Sequence, residues 1–296
     1  MQDKNKKIIL SASDAGLAFA MLMCIHVIIS TIGQLFCSVI FKQGTSAYKL
    51  TCSTFSVISI IAVIVYFKVY RKVYLKLSLK AQKSGGVFLA ISILLSAGMF
   101  LGLGFVNGVV GKLIEIVGLN PGGASFQMRT VWHFLAYSLT LALLPAVFEE
   151  LFFRGLLLSG LSKAKNVVAV LVSALCFAVY HGSLSQFVYQ FIYGVILGFT
   201  AIACKSIFPC IVAHFINNFS IILLNYLGVS VNLLSPVLLV IGINCLAIYL
   251  TILYFCVKKT NKNQLQTKGE VSRFYLFYGL FGTIICLSIA ITNLLV

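Results

Sequence analysis

Long apolar runs alternate with short polar segments along almost the whole chain. A typical run holds about 20 residues, the length that an α-helix needs to cross the hydrocarbon core of a bilayer. The runs are continuous, whereas the strands of a membrane β-barrel alternate apolar and polar residues. They predict transmembrane helices at residues 15–41, 50–67, 86–110, 131–162, 166–181, 186–204, 207–228, 234–257 and 274–296.

The composition agrees with this interpretation. Of 296 residues, 60% are hydrophobic and 9% are charged, and the mean hydropathy is +1.06. A soluble domain carries about a quarter of charged residues. We therefore expect an all-α fold, a polytopic bundle of about nine transmembrane helices, with eight as the alternative count. None of the polar segments looks like a folded extramembrane domain, so residues 1–296 are predicted to form a single integral membrane domain.

The basic residues predict the orientation. With a cytoplasmic N-terminus, 18 of the 22 lysines and arginines fall on the inner side and 4 on the outer side, as the positive-inside rule requires. We expect a multi-pass protein of the cell membrane, in contact with its lipids. The net charge of +16 lies in loops and not on one soluble face, which argues against a nucleic-acid partner. No feature predicts an oligomeric state.

Two acidic residues lie inside a predicted span. Glu149 and Glu150 are surrounded by apolar residues, whereas the other four acidic residues fall at or outside membrane edges. An ionisable side chain at such depth faces the bundle interior or a water-filled cavity. Arg154 follows Glu150 by four residues, so the two share a helix face and are predicted to pair. Glu149 points about 100° away from Glu150 and needs a partner from another helix.

Two of the four histidines have polar or aromatic neighbours at helical spacing. His181 follows Phe177 by four residues, and His214 precedes Asn218 by four. Each pair therefore lies on one helix face. His26 is interpreted as a packed, hydrogen-bonded histidine, and His133 as a residue of the membrane interface.

Helix geometry predicts which of these residues meet. Residues 149 and 181 are equidistant from a polar turn at 162–166, so an antiparallel hairpin places Glu149 and His181 at one level, about 20 Å from the cytoplasmic end. His214 lies only about 10 Å from that end, so helix tilt must supply the difference. Pro145 removes a backbone donor and frees a carbonyl near Leu141, and a simple bend is the alternative interpretation.

Together these patterns resemble a known family. E-E-x-x-x-R (Glu149 to Arg154), F-x-x-x-H (Phe177 to His181) and H-x-x-x-N (His214 to Asn218) are similar to the three motifs of the CPBP family, the CAAX protease and bacteriocin-processing proteins, also called the Abi family. The similar region, residues 130–222, would be the catalytic core. The resemblance implies a membrane-embedded endopeptidase. It also implies relatives that process prenylated CAAX proteins, relatives that take part in peptide maturation, and relatives that confer bacteriocin self-immunity.

The chemistry of the motif residues favours hydrolysis by water without a required cofactor. Glu149 would be the general base, and His181 would help to position the water. His214 and Asn218 would donate hydrogen bonds to the developing oxyanion. A zinc site made by Glu149, His181 and His214 stays open as the alternative, although the zinc-binding pattern H-E-x-x-H is missing.

The remaining motif residues are assigned supporting roles. Glu150 and Arg154 would hold the catalytic side chains in place, and Phe177 completes the second motif. The predicted partner is a peptide or a membrane protein that is associated with the membrane or carries a lipid.

Two other functions compete with proteolysis. A transporter would use Glu149, His181 and His214 to relay protons or bind a solute, but no matched halves with interrupted helices indicate inverted repeats. A catalytically silent immunity or scaffold protein would bind a partner in the membrane, and the intact motifs weaken this interpretation.

Overall fold

The protein is an all-α helical bundle. The computed structural model describes residues 10–72, 83–121, 128–232 and 234–260, together with 282 and 284. This part of the chain forms eight long helices and no strand. Their bounds are α1 Ala12–Ile40, α2 Ser46–Tyr70, α3 Lys83–Ala97 continued through Gly98–Leu103 and Gly104–Ile116, α4 Val131–Gly160, α5 Asn166–Tyr180, α6 Phe187–Cys204, α7 Phe208–Tyr226 and α8 Pro236–Thr260.

The helices follow the predicted spans in order, and they confirm the predicted class of a multi-pass helical membrane protein. Seven of them are long and apolar enough to cross a membrane. The exception among the described helices is α5, which has 15 residues. The predicted span at residues 274–296 lies outside the described residues, apart from 282 and 284. The number of spans and the cytoplasmic N-terminus therefore stay predictions.

Helix starts are fixed by hydroxyl side chains. Ser11 caps α1 in a reciprocal capping box with Asp14, which satisfies donors that have no partner within the helix. Asp14 also forms an ion pair with Arg71 at 2.6 Å, so the start of α1 is fastened to the end of α2. Thr130 caps α4, because its hydroxyl accepts a hydrogen bond from the backbone N–H of His133 at 3.2 Å. Two helix starts are thus defined by local sequence.

Helices α5 and α6 form the centre of the bundle and pack closely. A Cβ on Gly194 of α6 would lie 3.0 Å from Ala174 of α5, so the glycine permits the backbones to approach. The core around this hairpin is apolar and includes side chains of α1, α4 and α7. Large apolar side chains are exposed on the outer faces, such as Val39, which is 85% exposed. Such an exterior suits contact with lipid.

Helix α4 changes its geometry on both sides of the two glutamates. Ser138–Leu143 and Leu151–Leu157 are π-helical, and the turns between them, Leu144–Glu150, are α-helical. A π-helical turn inserts an extra residue into the helix and is frequent at functional sites. The two insertions rotate the segment that carries Glu149 and Glu150 relative to both ends of the same helix.

Candidate active site

Glu150 and Arg154 form the predicted ion pair in the protein interior. Arg154 Nη1 donates a hydrogen bond to Glu150 Oε1 at 2.8 Å, and the two side chains are 1% and 0% exposed. Two further contacts hold the guanidinium. Arg154 Nη2 donates to the carbonyl of Gly194 at 3.3 Å, and the ring of Phe177 lies 4.4 Å from the guanidinium carbon. The cation is therefore compensated by a carboxylate, a carbonyl and an aromatic face.

His214 reaches across from α7 and contacts the same carboxylate. Its Nδ1 lies 2.8 Å from Glu150 Oε1, and its side chain is 4% exposed. A carboxylate only accepts hydrogen bonds when it is ionised, so Nδ1 of His214 carries a proton. Glu150 consequently binds Arg154 and His214 at once and fixes the orientation of the imidazole. Its position on α4 makes it the link between two helices.

Glu149 faces the two histidine rings. Its Oε2 lies 3.9 Å from Nε2 of His181 and 3.9 Å from Nε2 of His214. Both distances exceed a direct hydrogen bond, whose range ends near 3.2 Å. Glu149 Oε2 has no hydrogen-bond partner among the described residues. Glu149 Oε2 thus faces the two Nε2 atoms across a narrow gap beside the cavity, and it is a carboxylate oxygen without a partner among the described residues.

The tautomer of His181 follows from its backbone contact. Its Nδ1 lies 2.8 Å from the carbonyl of Phe177, and a carbonyl only accepts, so this nitrogen carries the proton. In a neutral ring Nε2 then presents a lone pair towards Glu149. The same holds for a neutral His214, whose Nδ1 proton is donated to Glu150. Two neutral histidines would therefore offer only acceptors to the gap, and one of them must gain a proton before it donates there.

Asn218 meets the carbonyl that Pro145 leaves without its helical donor. Asn218 Nδ2 donates to the carbonyl of Leu141 at 3.2 Å, and Leu141 precedes Pro145 by four residues. The freed carbonyl was predicted from the proline, and the structure supplies its partner from α7. A primary amide has two N–H donors, so this bond leaves the second N–H of Asn218 for another acceptor.

Asn217 and Tyr189 complete this polar chain and were not predicted. Tyr189 donates its hydroxyl to Asn217 Oδ1 at 2.7 Å, and Asn217 Nδ2 donates to Asn218 Oδ1 at 3.2 Å. Both side chains are buried. The sequence held a signal for each, namely a second asparagine beside Asn218 and a tyrosine in an apolar span. Which polar residue of a span faces the interior is decided by packing, and hydropathy does not reveal it.

These groups line one cavity of about 590 Å³. All four predicted catalytic residues contribute to its wall, whereas Glu150, Arg154 and Phe177 are buried behind it. The structure therefore brings the predicted site residues together, with the four predicted catalytic residues in the cavity wall and the three supporting residues behind it. Their catalytic roles stay predictions. The residues of the wall with polar side chains are Asn107, Glu149, His181, Gln186, Tyr189, Gln190, His214, Asn217, Asn218 and Asn225.

The two other histidines lie outside the cavity wall. His26 Nδ1 lies 3.3 Å from the hydroxyl of Ser59, and its ring packs edge-on against Tyr180, which confirms a packed and hydrogen-bonded histidine. His133 lies in the first turn of α4, where its Nδ1 accepts a hydrogen bond from the backbone N–H of Arg129. Neither residue faces Glu149.

The cavity wall contains side chains of the types that bind metal ions. Within the described ranges, no group of three or more His, Cys, Asp and Glu side chains is arranged to hold a metal ion. Glu149 and the two histidines have the donor chemistry for zinc. The distance from Glu149 Oε2 to Nε2 of each histidine is 3.9 Å. Metal dependence therefore stays a matter for experiment.

Comparison with known proteins links the site to a family. No curated protein matches the chain. Residues 131–220 match the family model described as type II CAAX prenyl endopeptidase, Rce1-like. The matched segment runs from the start of α4 into α7 and includes all three motifs. The match confirms the predicted resemblance, and it shows that this part of the chain is similar to the Rce1-like family.

Proposed function

We propose that the protein is an intramembrane endopeptidase in which Glu149 activates a water molecule for attack on a peptide bond. The observation that carries the proposal is the gap between Glu149 Oε2 and the Nε2 atoms of His181 and His214, each 3.9 Å away. Such a separation suits a bridging water better than a direct contact. The gap borders a cavity of about 590 Å³, which has room for a peptide segment.

The charges of the buried groups indicate how many protons the site holds. Ionised Glu149 and Glu150 together with Arg154 leave the site with one net negative charge. One added proton neutralises it, and His214 is the best carrier because it contacts Glu150 directly and faces Glu149. An unpaired charge in such an interior costs several kcal/mol. Protonated His214 would then donate from Nε2 to the oxyanion, as its predicted role requires.

The proposed reaction uses these groups in order. Glu149 takes a proton from the water while the water oxygen forms a bond to the carbonyl carbon of the substrate. His214 and the second N–H of Asn218 donate hydrogen bonds to the resulting oxyanion. His181 Nε2 accepts a hydrogen bond from the second O–H of the water, which stays bonded to the oxygen. When the C–N bond breaks, the proton held by Glu149 passes to the leaving amine. Glu150 and Arg154 position His214 and contact no substrate in this scheme.

The substrate is proposed to be a peptide or a membrane protein at the cell membrane, with or without a lipid. An apolar cavity of about 480 Å³ adjoins the catalytic cavity and shares Phe100, Leu224 and Val231 with its wall. Ile93, Ala97 and Leu238 also line it. Such a chamber would bury a large apolar side chain or a lipid chain beside the scissile bond, which supports a membrane-associated substrate.

Cleavage by the purified protein tests this function. In detergent, the protein is mixed with a quenched fluorogenic peptide library, presented with and without a C-terminal farnesyl-cysteine. Glu149→Gln and His181→Gln should each lower the cleavage rate by about 10²–10⁴-fold. The first variant loses the general base, and the second loses the side chain that positions the water. His133→Gln is the matched control, since His133 lies outside the cavity wall, and should cleave like the parent. Equal cleavage rates for the parent and Glu149→Gln would refute the proposed role of Glu149, and no cleavage by the parent would leave a transporter or a silent binding protein.

A further inference from the structure

The helix that ends directly before His181 is too short to cross the membrane. Helix α5 has 15 residues and spans about 22 Å, against about 30 Å for the hydrocarbon core. Helix α4 has 30 residues and spans about 45 Å. The α4–α5 turn fixes one end of both helices at the same level, so the other end of α5 stops inside the bilayer. His181, at this end, therefore lies below the membrane surface.

The opposite side of the site is closed by packed side chains. All seven residues of the π-helical segment Leu151–Leu157 are buried except the first. Beneath the catalytic residues, Phe153, Phe177 and Tyr193 are each at most 1% exposed. The last turn of α4 packs closely against α1, because a Cβ on Gly160 would lie 2.7 Å from Ala15. The described side chains between the catalytic residues and the α4–α5 turn are therefore buried and packed.

A second cavity of about 390 Å³ continues from the catalytic cavity at the open side. The two share Asn107 and Gln186 in their walls. The outer wall is formed by the last turns of α3 with Lys112, and by the segment after α5. Ser185 donates its hydroxyl to the carbonyl of Pro121 at 2.7 Å, which holds the two sides of this opening together. We name the residues that line this second cavity the mouth.

The basic residues show which side of the membrane the mouth faces. Arg154 is buried in the site and belongs to neither side, so 17 basic residues are assigned to the side of the α4–α5 turn and 4 to the side of the mouth. Lysines and arginines accumulate in cytoplasmic loops. The turn with Lys163 and Lys165 is therefore cytoplasmic, and the mouth with Lys112 opens on the opposite, extracytoplasmic side.

The passage from the mouth to Glu149 has the chemistry of a peptide backbone site. Its wall is rich in uncharged amide side chains, a group type that can donate to the C=O and accept from the N–H groups of an extended chain. Among the described residues of this wall, charged side chains occur only at the mouth and at the catalytic end. The amides are Asn107, Gln186, Gln190, Asn217, Asn218 and Asn225.

We infer that the active site is loaded from the extracytoplasmic face, and that its substrate is an extended peptide segment exposed there, in a secreted or membrane-anchored chain. This inference rests on the proposed function and specifies its substrate class. A chain whose lipidated terminus lies in the cytoplasmic leaflet would present its scissile bond on the closed side. The passage admits a peptide bond that lies on the extracytoplasmic side of the membrane and excludes one on the cytoplasmic side, whatever side chains the substrate carries.

Cysteine labelling tests the orientation of the mouth without any need for activity. Lys112→Cys at the mouth and Lys163→Cys at the α4–α5 turn replace exposed lysines on opposite sides. Intact cells are treated with a charged, membrane-impermeant maleimide, and the parent chain with its nine native cysteines gives the background. We expect label above background on Lys112→Cys in intact cells, and on Lys163→Cys only after lysis. Labelling of Lys112→Cys only after lysis, or of Lys163→Cys in intact cells, overturns the inference.

Sidedness of cleavage tests the route itself. The impermeant, unlipidated fluorogenic peptide library is added to right-side-out and to inside-out membrane vesicles that contain the protein, with Glu149→Gln vesicles as the blank. Loading from outside predicts cleavage in right-side-out vesicles. It also predicts that inside-out vesicles cleave the peptide only after detergent is added. The reverse pattern overturns it. If no cleavage occurs even in detergent, the proposed function fails, and the labelling result still decides which way the mouth faces.

Discussion

Glu150 should matter far more for stability than its neighbour Glu149. Glu150 is 0% exposed, and its Oε1 accepts hydrogen bonds from Arg154 Nη1 and His214 Nδ1, both at 2.8 Å. Glu150→Gln keeps the shape of the side chain but removes the negative charge that compensates the guanidinium. Glu149→Gln removes a carboxylate whose Oε2 has no hydrogen-bond partner among the described residues. The two variants therefore separate a structural from a catalytic carboxylate.

The structure sets the size of the difference. Two hydrogen bonds to a charged group contribute about 3–6 kcal/mol together, which agrees with about 3–5 kcal/mol for stranding one member of a buried ion pair. At about 2–4 °C per kcal/mol, Glu150→Gln should lower the melting temperature by roughly 6–20 °C. Glu149→Gln should stay within about 2 °C of the parent and lose about 10²–10⁴-fold in cleavage rate.

The assay pairs the melting temperature in detergent with the cleavage rate for each variant. Adding Arg154→Met to Glu150→Gln removes the stranded cation and should recover part of the lost melting temperature, although not the activity. Equal losses of melting temperature in the two single variants would refute the division of roles. A double variant no more stable than Glu150→Gln would show that the ion pair does not account for the loss.

Three further predictions concern orientation, metal and packing. A reporter fused after Lys83 should read cytoplasmic and one fused after Gly123 external, and an external signal at Lys83 would reverse the topology. Purified protein stripped by strong chelators should keep most of its cleavage rate, whereas loss of activity that zinc restores would turn Glu149 and the two histidines into ligands. Gly242→Ala would place a Cβ against the backbone N of Gly102 in α3 and should lower the free energy of unfolding by about 1–3 kcal/mol. Gly86→Ala, with nothing within 4 Å, is its control and should melt like the parent.

Local sequence determined the helices and the contacts within them. Apolar runs predicted the helical class because a bilayer requires every backbone polar group to bond inside its own segment. The spacing of four between Glu150 and Arg154 predicted their ion pair, because helix geometry alone places such residues on one face. The common turn predicted that Glu149 and His181 lie at one level, since both distances are counted along helices from the same point.

Contacts between helices that are distant in sequence were decided by the tertiary structure. Counting residues along α7 predicted that His214 lies nearer the cytoplasmic end than Glu149. In the structure its ring contacts both Glu149 and Glu150. Helix packing, helix tilt and the π-helical turns of α4 set the level of each side chain, and residue counting does not include them. The partner of the Leu141 carbonyl is Asn218 of α7, which no local pattern reveals. The short helix α5 and the closed core beneath it create the one-sided passage. Sequence fixes distances along a helix, and only the packed bundle fixes distances between helices.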